Sequence, residues 1–455
     1  MTIKKLSFLF SLIIVLTSFC GSKLEQIPKK RYKGIDRTLN LLNSSTKEHP
    51  NNVEILFYGQ SIIGGMKTNI LVDSLKKRFP FAIISFKHKP IGGFTIPNLI
   101  KTAEHDVYHE NPDLIIFHAY DGIKDGLFDT LIKRIRQRMT SDILLLDHHY
   151  VWNTPESKLE SINKSHDFDS EAIQDIARKY DCGFIDVRAQ WKAYLENNTI
   201  SPNELMGNTI TPNVHPNDKG NALLRNIVLS KFVKKNTLNN PKTDDSLRTI
   251  LNFDNASKKI TTNFTGNRVE FFASPIGEEA AVEVLIDGKK PSEHRGSYYI
   301  TRPSEGYQTW MPAIKNVSFG NAFPRSETWT VTLFDIDRET KQFKFKTEGS
   351  ITGFDGEGNS KTDFISNSER IEIKKEDFYV FQIENIFKKE TPEGFQIKFN
   401  VEQLIQDSIV IKRNNSKYTL FMSDKVNNHS LNIKLIKGGL SFKQLIVLKP
   451  YIIEK

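Results

Sequence analysis

The sequence predicts a three-layer α/β/α domain built on a parallel sheet, followed by a β-sandwich-like domain. Three observations carry the prediction. Residues 53 to about 237 alternate short apolar runs with amphipathic helical patterns, the signature of βαβ units whose sheet is covered on both faces. After the polar stretch Asn236–Asp245, long helical periodicity largely disappears. Short alternating segments take over, punctuated by Asp287-Gly288, Phe354-Asp355-Gly356 and Gly438-Gly439. The first apolar run, Ile55–Tyr58, stops at Gly59-Gln60-Ser61 before a helical pattern, and such strand–turn–helix junctions are where an open α/β sheet meets ligands.

In chain order, Lys4 and Lys5 precede the apolar run Leu6–Phe19, which is short for a membrane span and reads as a targeting segment over residues 1–20. Cys20-Gly21-Ser22 follows directly and resembles a bacterial lipobox, although Phe19 stands where a small residue is expected. The expectation is a lipoprotein, anchored through Cys20 at the cell envelope. Residues 21–50 are polar and basic and read as a tether, with one helix around Arg37–Leu42. Within the α/β domain (51–237), strands are expected at Ile55–Tyr58, Ala82–Phe86, Leu114–His118, Ile143–Asp147 and Gly183–Val187. Helices are expected at Asn69–Phe79, Ile96–Tyr108, Phe128–Met139, Ser170–Tyr180 and Gly220–Lys234. Residues 238–248 form a linker. The β-rich part, 249–455, reads as one domain or two β units divided near residue 376.

Composition narrows the function classes. The 455 residues are 38% hydrophobic and 11% aromatic, with 31 Phe, enough for substantial cores. The formal charge of +9 is spread along the chain without an Arg-rich arm, so a generally basic surface accounts for it and nucleic acid is not an expected partner. The second cysteine, Cys182, lies in a strand-like segment and reads as a buried small hydrophobe.

Four stretches carry polar groups to one edge of the sheet. Ser61 sits just beyond the first strand and reads either as a nucleophile or as a cap of the next helix. Gly92-Gly93 follows the second strand and allows close backbone approach to a ligand. His118-Ala119-Tyr120-Asp121-Gly122 ends the third. His215, in Val214-His215-Pro216-Asn217, stands immediately before the last helix of the domain.

This order resembles the SGNH (GDSL-like) hydrolase family over about residues 53–235. Gly59-Gln60-Ser61 is similar to its Gly-Asp-Ser block, in the Gln form of some carbohydrate acetylesterases. Ile91-Gly92-Gly93 is similar to the block whose glycine N–H helps form an oxyanion hole. Val214-His215-Pro216-Asn217 is similar to the end of its final block. The whole chain is similar to a bacterial group of secreted SGNH proteins with Tyr-Gly-Gln-Ser-Ile and a β-rich C-terminal part. The resemblance implies a flavodoxin-like fold, a serine esterase acting on O-acyl, chiefly O-acetyl, groups of a carbohydrate, and no cofactor or metal. It implies Ser61 and His215 as catalytic residues and the N–H groups of Ser61 and Gly93 as oxyanion donors. Tyr120 is a further donor candidate, and Gln60, His118, Asp121 and His149 are assigned to substrate binding.

The sequence departs from the family in two places. No Asn occupies the third block, where His118 or Tyr120 could substitute as donor. Pro212 occupies the Asp position of the final block, which leaves a Ser61–His215 dyad with Asp147 as a candidate orienter. Asp147-His148-His149 does not read as a metal site, because adjacent side chains on an extended segment point apart. Asp355-Gly356-Glu357-Gly358-Asn359 lacks the spacing of a calcium loop and reads as a turn. Trp152 is the best groove candidate among four tryptophans, the others being core by default. Two rivals stay open: an O-acyltransferase on an envelope glycan, and a non-catalytic carbohydrate-binding lipoprotein that keeps the fold.

Overall fold

The computed structural model describes residues 34–151, 159–207, 214–234, 246–253, 259–304, 311–413 and 417–450. The expected signal and anchor segment, most of the linker, Trp152, Pro212 and Trp310 lie outside the described residues.

Five strands form the first sheet: β1 (Asn52–Gly59), β2 (Ile83–Pro90), β3 (Leu114–His118), β4 (Asp142–Leu146) and β5 (Gly183–Ile185). They run parallel in the order β2-β1-β3-β4-β5. Among the described residues eight α-helices accompany them: α1 (Asp36–Asn43), α2 (Ser61–Gly65), α3 (Thr68–Arg78), α4 (Ile96–Asp106), α5 (Leu127–Arg138), α6 (Leu159–Lys179), α7 (Val187–Asn198) and α8 (Asp218–Ser230).

Successive strand residues face opposite ways, so each strand feeds two cores. Leu56, Tyr58, Ile115, Phe117, Ile143 and Leu145 pack with α4, α5 and α6. Ile55, Phe57, Leu114, Ile116, Leu144 and Leu146 pack with α1, α3, α7 and α8. That double burial is why the strands read as continuous apolar runs rather than alternating ones. Strand order reverses at β1, and the ends of β1 and β3 lie side by side with Gly59 opposite His118. The crevice of a doubly wound sheet opens at such a reversal.

The tether expectation is corrected for residues 34–50. Helix α1 belongs to the domain, with Ile35, Leu39 and Leu42 in its core. The Thr38 N–H and hydroxyl both donate to Asp142, each at 2.8 Å, and Arg37 donates to Asp113 at 2.8 Å. Leu42 is buried to 2% exposure, so Leu42→Ala should lower unfolding stability by about 2–4 kcal/mol, read from urea denaturation. A tether would show no change.

The C-terminal part is antiparallel, but the sandwich expectation is replaced by two other arrangements. Two very long strands, Lys259–Ile286 and Lys417–Leu448, pair with each other in two registers. Val269 lies between Phe421 and Val447, and Ile433 between Ile260 and Val284. The sheet therefore wraps around its own core, with Phe264, Phe271, Val282 and Phe442 inside. Inserted between the long strands is a second unit, and no break falls at residue 376. Its five-stranded sheet is ordered Gly353–Asn359, Gln342–Gly349, Glu327–Asp337, Gln396–Gln403, Tyr298–Ile300. One face of this sheet packs on helix α9 (Val380–Phe387). Gly353–Asn359 is a strand rather than the expected turn, and Asp355 is buried and accepts from the N–H and hydroxyl of Ser368.

This inserted unit docks on α4. His105 hydrogen-bonds through Nδ1 to the Ile300 carbonyl (2.9 Å), and its Nε2 accepts from the Val317 N–H (3.2 Å). Arg302 grips Asp106 with two bonds of 3.1 and 2.9 Å. Lys101 pairs with Asp377, and Phe94 meets Tyr379 edge-on.

Candidate active site

Gly59 ends β1 at φ +144, and a Cβ there would lie 2.1 Å from the His118 carbonyl oxygen. Only glycine allows β1 and β3 to close at this point, and their closure puts Gln60-Ser61 at the crevice. Gly59→Ala should cost about 3 kcal/mol or more and remove with it any activity that depends on Ser61, since the Gln60-Ser61 turn must shift to admit the methyl group. Paired denaturation and turnover measurements check this.

Ser61 opens the short helix α2, and Gln60 caps it by accepting the Ile62 N–H at 3.1 Å. The cap role expected for Ser61 thus falls to its neighbour. The Ser61 hydroxyl lies 2.8 Å from His215 Nε2, joining residues 154 positions apart. It also lies 2.6 Å from Gln60 Oε1, so its single proton has two acceptors.

The His215 loop is tied down from several sides. The His215 carbonyl accepts from the Gly207 N–H at 2.8 Å. Asn217 donates to the carbonyls of Glu204 and Met206 and caps α8 at the Gly220 N–H. Gly220 rests on Trp191 and the Leu205 carbonyl, with no room for a side chain. Buried His149 hydrogen-bonds to the backbone of Val214 and packs on Trp191 at 5.1 Å. Its place is beneath the His215 loop rather than along the cleft. Helix α7, which carries Trp191, was not among the expected elements. Its N-cap, Asp186 accepting from the Ala189 N–H, and the spacing Val187, Trp191, Leu195 were the signals for it.

Asp147 does not reach His215. Its carboxylate accepts from Ser170 and from the N–H groups of Val187 (2.6 Å) and Arg188 (3.2 Å), anchoring the start of α7. Burial raises its pKa to about 6.

Behind Gln60 runs a buried chain of imidazoles. Gln60 Nε2 lies 3.1 Å from His118 Nδ1, and His118 Nε2 lies 3.1 Å from His148 Nδ1. The Gln60 carbonyl oxygen is already an acceptor, so its amide nitrogen donates. His118 must then accept at Nδ1 and donate at Nε2, and His148 must accept at Nδ1 and present Nε2–H toward Asp169, 3.6 Å away. Burial depresses the pKa of His118 and His148 well below the usual histidine range, so both rings are neutral. A directed row of dipoles therefore fixes the rotamer and orientation of the Gln60 amide beside Ser61. No spacing in the sequence points to His166 or Asp169, and adjacency in Asp147-His148-His149 disguises His148's partner thirty residues away.

Tyr120 packs among these rings, 4.3 Å from His148 and 5.3 Å from His166 between centroids. Its hydroxyl is buried without a partner among the described residues, and the Ser61 cleft is lined by other groups. Asp121 is exposed in a left-handed turn with Gly122, whose missing side chain makes room for Ile96. Gly93 adopts φ +78 in open space, and no hydrogen bond among the described residues takes its N–H or that of Ser61. Trp191 and Trp329 are fully buried core.

The cleft over Ser61 has a volume of about 690 Å³. Gly64, Lys89 and Gly92 form one side of it, and Tyr299, Thr301 and Arg302 of the inserted β unit form the other. No cluster of potential metal ligands occurs among the described residues.

No family model and no curated protein matches the chain. Solved structures do show likeness. An acetylxylan esterase from Geobacillus stearothermophilus is 20% identical with a TM-score of 0.34, over 40% of this chain and 95% of that one. A catalytic mutant of that esterase is 19% identical with a TM-score of 0.35 over the same shares. An α/β hydrolase enzyme from the metagenome of Lake Arreo, Spain, is 16% identical with a TM-score of 0.35, over 42% of this chain and all of that one.

Proposed function

We propose that the chain is a serine esterase of SGNH type that removes O-acyl, chiefly O-acetyl, groups from a carbohydrate. The observation that carries this reading is the 2.8 Å contact between His215 Nε2 and the Oγ of Ser61, a residue that lines an open cleft. His215 takes the Ser61 proton as Oγ attacks the ester carbonyl, and the N–H groups of Ser61 and Gly93 receive the developing oxyanion. His215 then returns the proton to the departing sugar oxygen, leaving an acyl-Ser61. Water, deprotonated by the same imidazole, adds to that ester and releases the carboxylic acid, restoring Ser61. Among the described residues no side-chain amide lines the Ser61 cleft in place of the family's Asn, so the reading relies on backbone donors. Removing one such donor typically costs about 10²–10³ in rate.

In this reading the enzyme works at the cell envelope, tethered through a lipid on Cys20. The experiment that tests the esterase is turnover of p-nitrophenyl acetate by the chain from residue 21 onward. A rate well above background, with acetate released in equal amount, supports the proposal. A rate no greater than that of the heat-unfolded protein overturns it.

A further inference from the structure

A second cavity, about 820 Å³, runs between the α/β domain and the β units, and it shares His105 and Tyr299 with the Ser61 cleft. The two cavities are therefore adjoining parts of one surface track. The walls of the second are unusual in their hydrogen bonding. On residues that line it, the polar atoms Tyr108 Oη, His109 Nδ1, Asn267 Oδ1, Arg268 Nε, Asn316 Oδ1 and His429 Nε2 are buried and have no hydrogen-bond partner among the described residues. Asn267 is 2% exposed and Tyr108 9%, so these are built-in groups rather than surface side chains.

Their chemistry selects a ligand. Asn267 spends both amide protons on the carbonyls of Arg138 and Ser423, which leaves its oxygen as an acceptor. His429 binds Asp287 through Nδ1 at 2.7 Å, so in the neutral ring Nε2 is an acceptor too. Asn316 Oδ1 adds a third. Acceptors call for a ligand rich in donors, which favours hydroxyl groups and disfavours phosphate or carboxylate. The arginine side chains of the groove are engaged, Arg268 with Glu270 at 3.7 Å, and Lys425 is exposed. Arg138 holds Glu104, and Arg295 holds the carbonyls of Gly320, Asn321 and Ala322. Aromatic faces complete the pattern: Tyr299 stacks on His109 at 4.1 Å, and Phe323, 43% exposed, meets Tyr298 edge-on at the rim. Hydroxyl-accepting groups between exposed rings suit the alternating polar edges and apolar faces of pyranose rings.

We infer that this interdomain groove binds the sugar chain flanking the acylated residue, so that the enzyme acts on an oligomeric or polymeric neutral glycan rather than on a free acylated sugar. The inference rests on the esterase reading for what happens at Ser61, and on the groove alone for what is bound. Two measurements separate them. The first compares kcat/KM for partially O-acetylated disaccharides and hexasaccharides of xylan, mannan and chitin type. On at least one backbone the hexasaccharide should exceed the disaccharide by about tenfold or more, and in Tyr108→Phe, Phe323→Ala and their combination the ratio should fall toward one. Because each ratio is internal to one protein, partial loss of folded enzyme cancels. The second titrates the Ser61→Ala protein with unacetylated hexasaccharides of the same three types, which needs no turnover. Binding to one type, weakened about tenfold by the double variant, is expected. A parent ratio near one on all three backbones, a ratio that survives the double variant, or failure of every hexasaccharide to bind overturns the groove assignment. Hexasaccharide binding without hydrolysis of any ester would uphold the groove and overturn the esterase.

Discussion

Ser61→Ala and His215→Ala should each lower kcat/KM for p-nitrophenyl acetate by at least about 10⁴-fold, and the double variant should be no slower than either single one. The reason is geometric. One proton passes between Ser61 Oγ and His215 Nε2 across 2.8 Å, and removing either atom removes the transfer as a whole. What remains in every variant is the backbone N–H groups of Ser61 and Gly93, proposed as oxyanion donors, and the cleft. Independent contributions would instead multiply, giving a double variant far slower than both. That outcome, or substantial activity in His215→Ala, would mean that another base serves Ser61. The second acceptor, Gln60 Oε1 at 2.6 Å, makes this a real alternative to exclude. Gln60 is an amide, however, and cannot carry a proton away at neutral pH.

Acid should unfold this protein early, and His105 is the residue to prove it with. Burial lowers its pKa to about 4 from an ordinary value near 6.5, with Asp106 opposing the shift and His109 and Arg302 reinforcing it. A depressed folded-state pKa contributes stability that is present above the unfolded value and is lost as pH falls through the folded one. The window is therefore from about pH 6.5 down to about pH 4, and the shift corresponds to about 3 kcal/mol. Protonation would also place a donor on Nε2 against the Val317 N–H, breaking the docking of the β unit on α4. His118, His148, His149 and His166 are depressed by burial too and add losses of the same sign. Asp147 works against them, since its raised pKa of about 6 makes the folded state more favourable as it protonates. The expected result is a steep fall in denaturation midpoint between pH 6.5 and 4 for the parent, and a fall smaller by about 3 kcal/mol in His105→Gln. Equal slopes would show that the imidazole titrates normally.

Much of the α/β domain was legible in the sequence because a parallel sheet writes itself as apolar runs. Leu114–His118 was read with its observed boundaries, and the other four strands were read within a few residues. Of the site, Ser61 and His215 were legible as polar residues at strand ends and loop tips, where the reversal of strand order brings them within hydrogen-bonding distance. What stayed hidden depends on partners distant in sequence. The Gln60–His118–His148–Asp169 row needs four side chains to meet, and no spacing encodes that. Helix α1 looked like tether because its burial depends on Asp113 and Asp142, more than seventy residues away. Alternation announced the β-rich part, but a sandwich and a wrapped sheet share the same alternation, and only register distinguishes them.

The interlocked strands Lys259–Ile286 and Lys417–Leu448 impose an order of assembly. Residue 268 cannot complete its pairing until residue 448 has left the ribosome, because Arg268 pairs with both Met422 and Leu448. Pairings so distant along the chain close slowly, whereas the βαβ units are local and close first. The Ser61–His215 pair can thus form while the C-terminal third is still being made. Tyr299, Thr301 and Arg302, held by strands that bracket them on both sides, reach the cleft last. A chain truncated a few dozen residues from its end would keep Ser61 beside His215 and lack the wall of the cleft that Tyr299, Thr301 and Arg302 form.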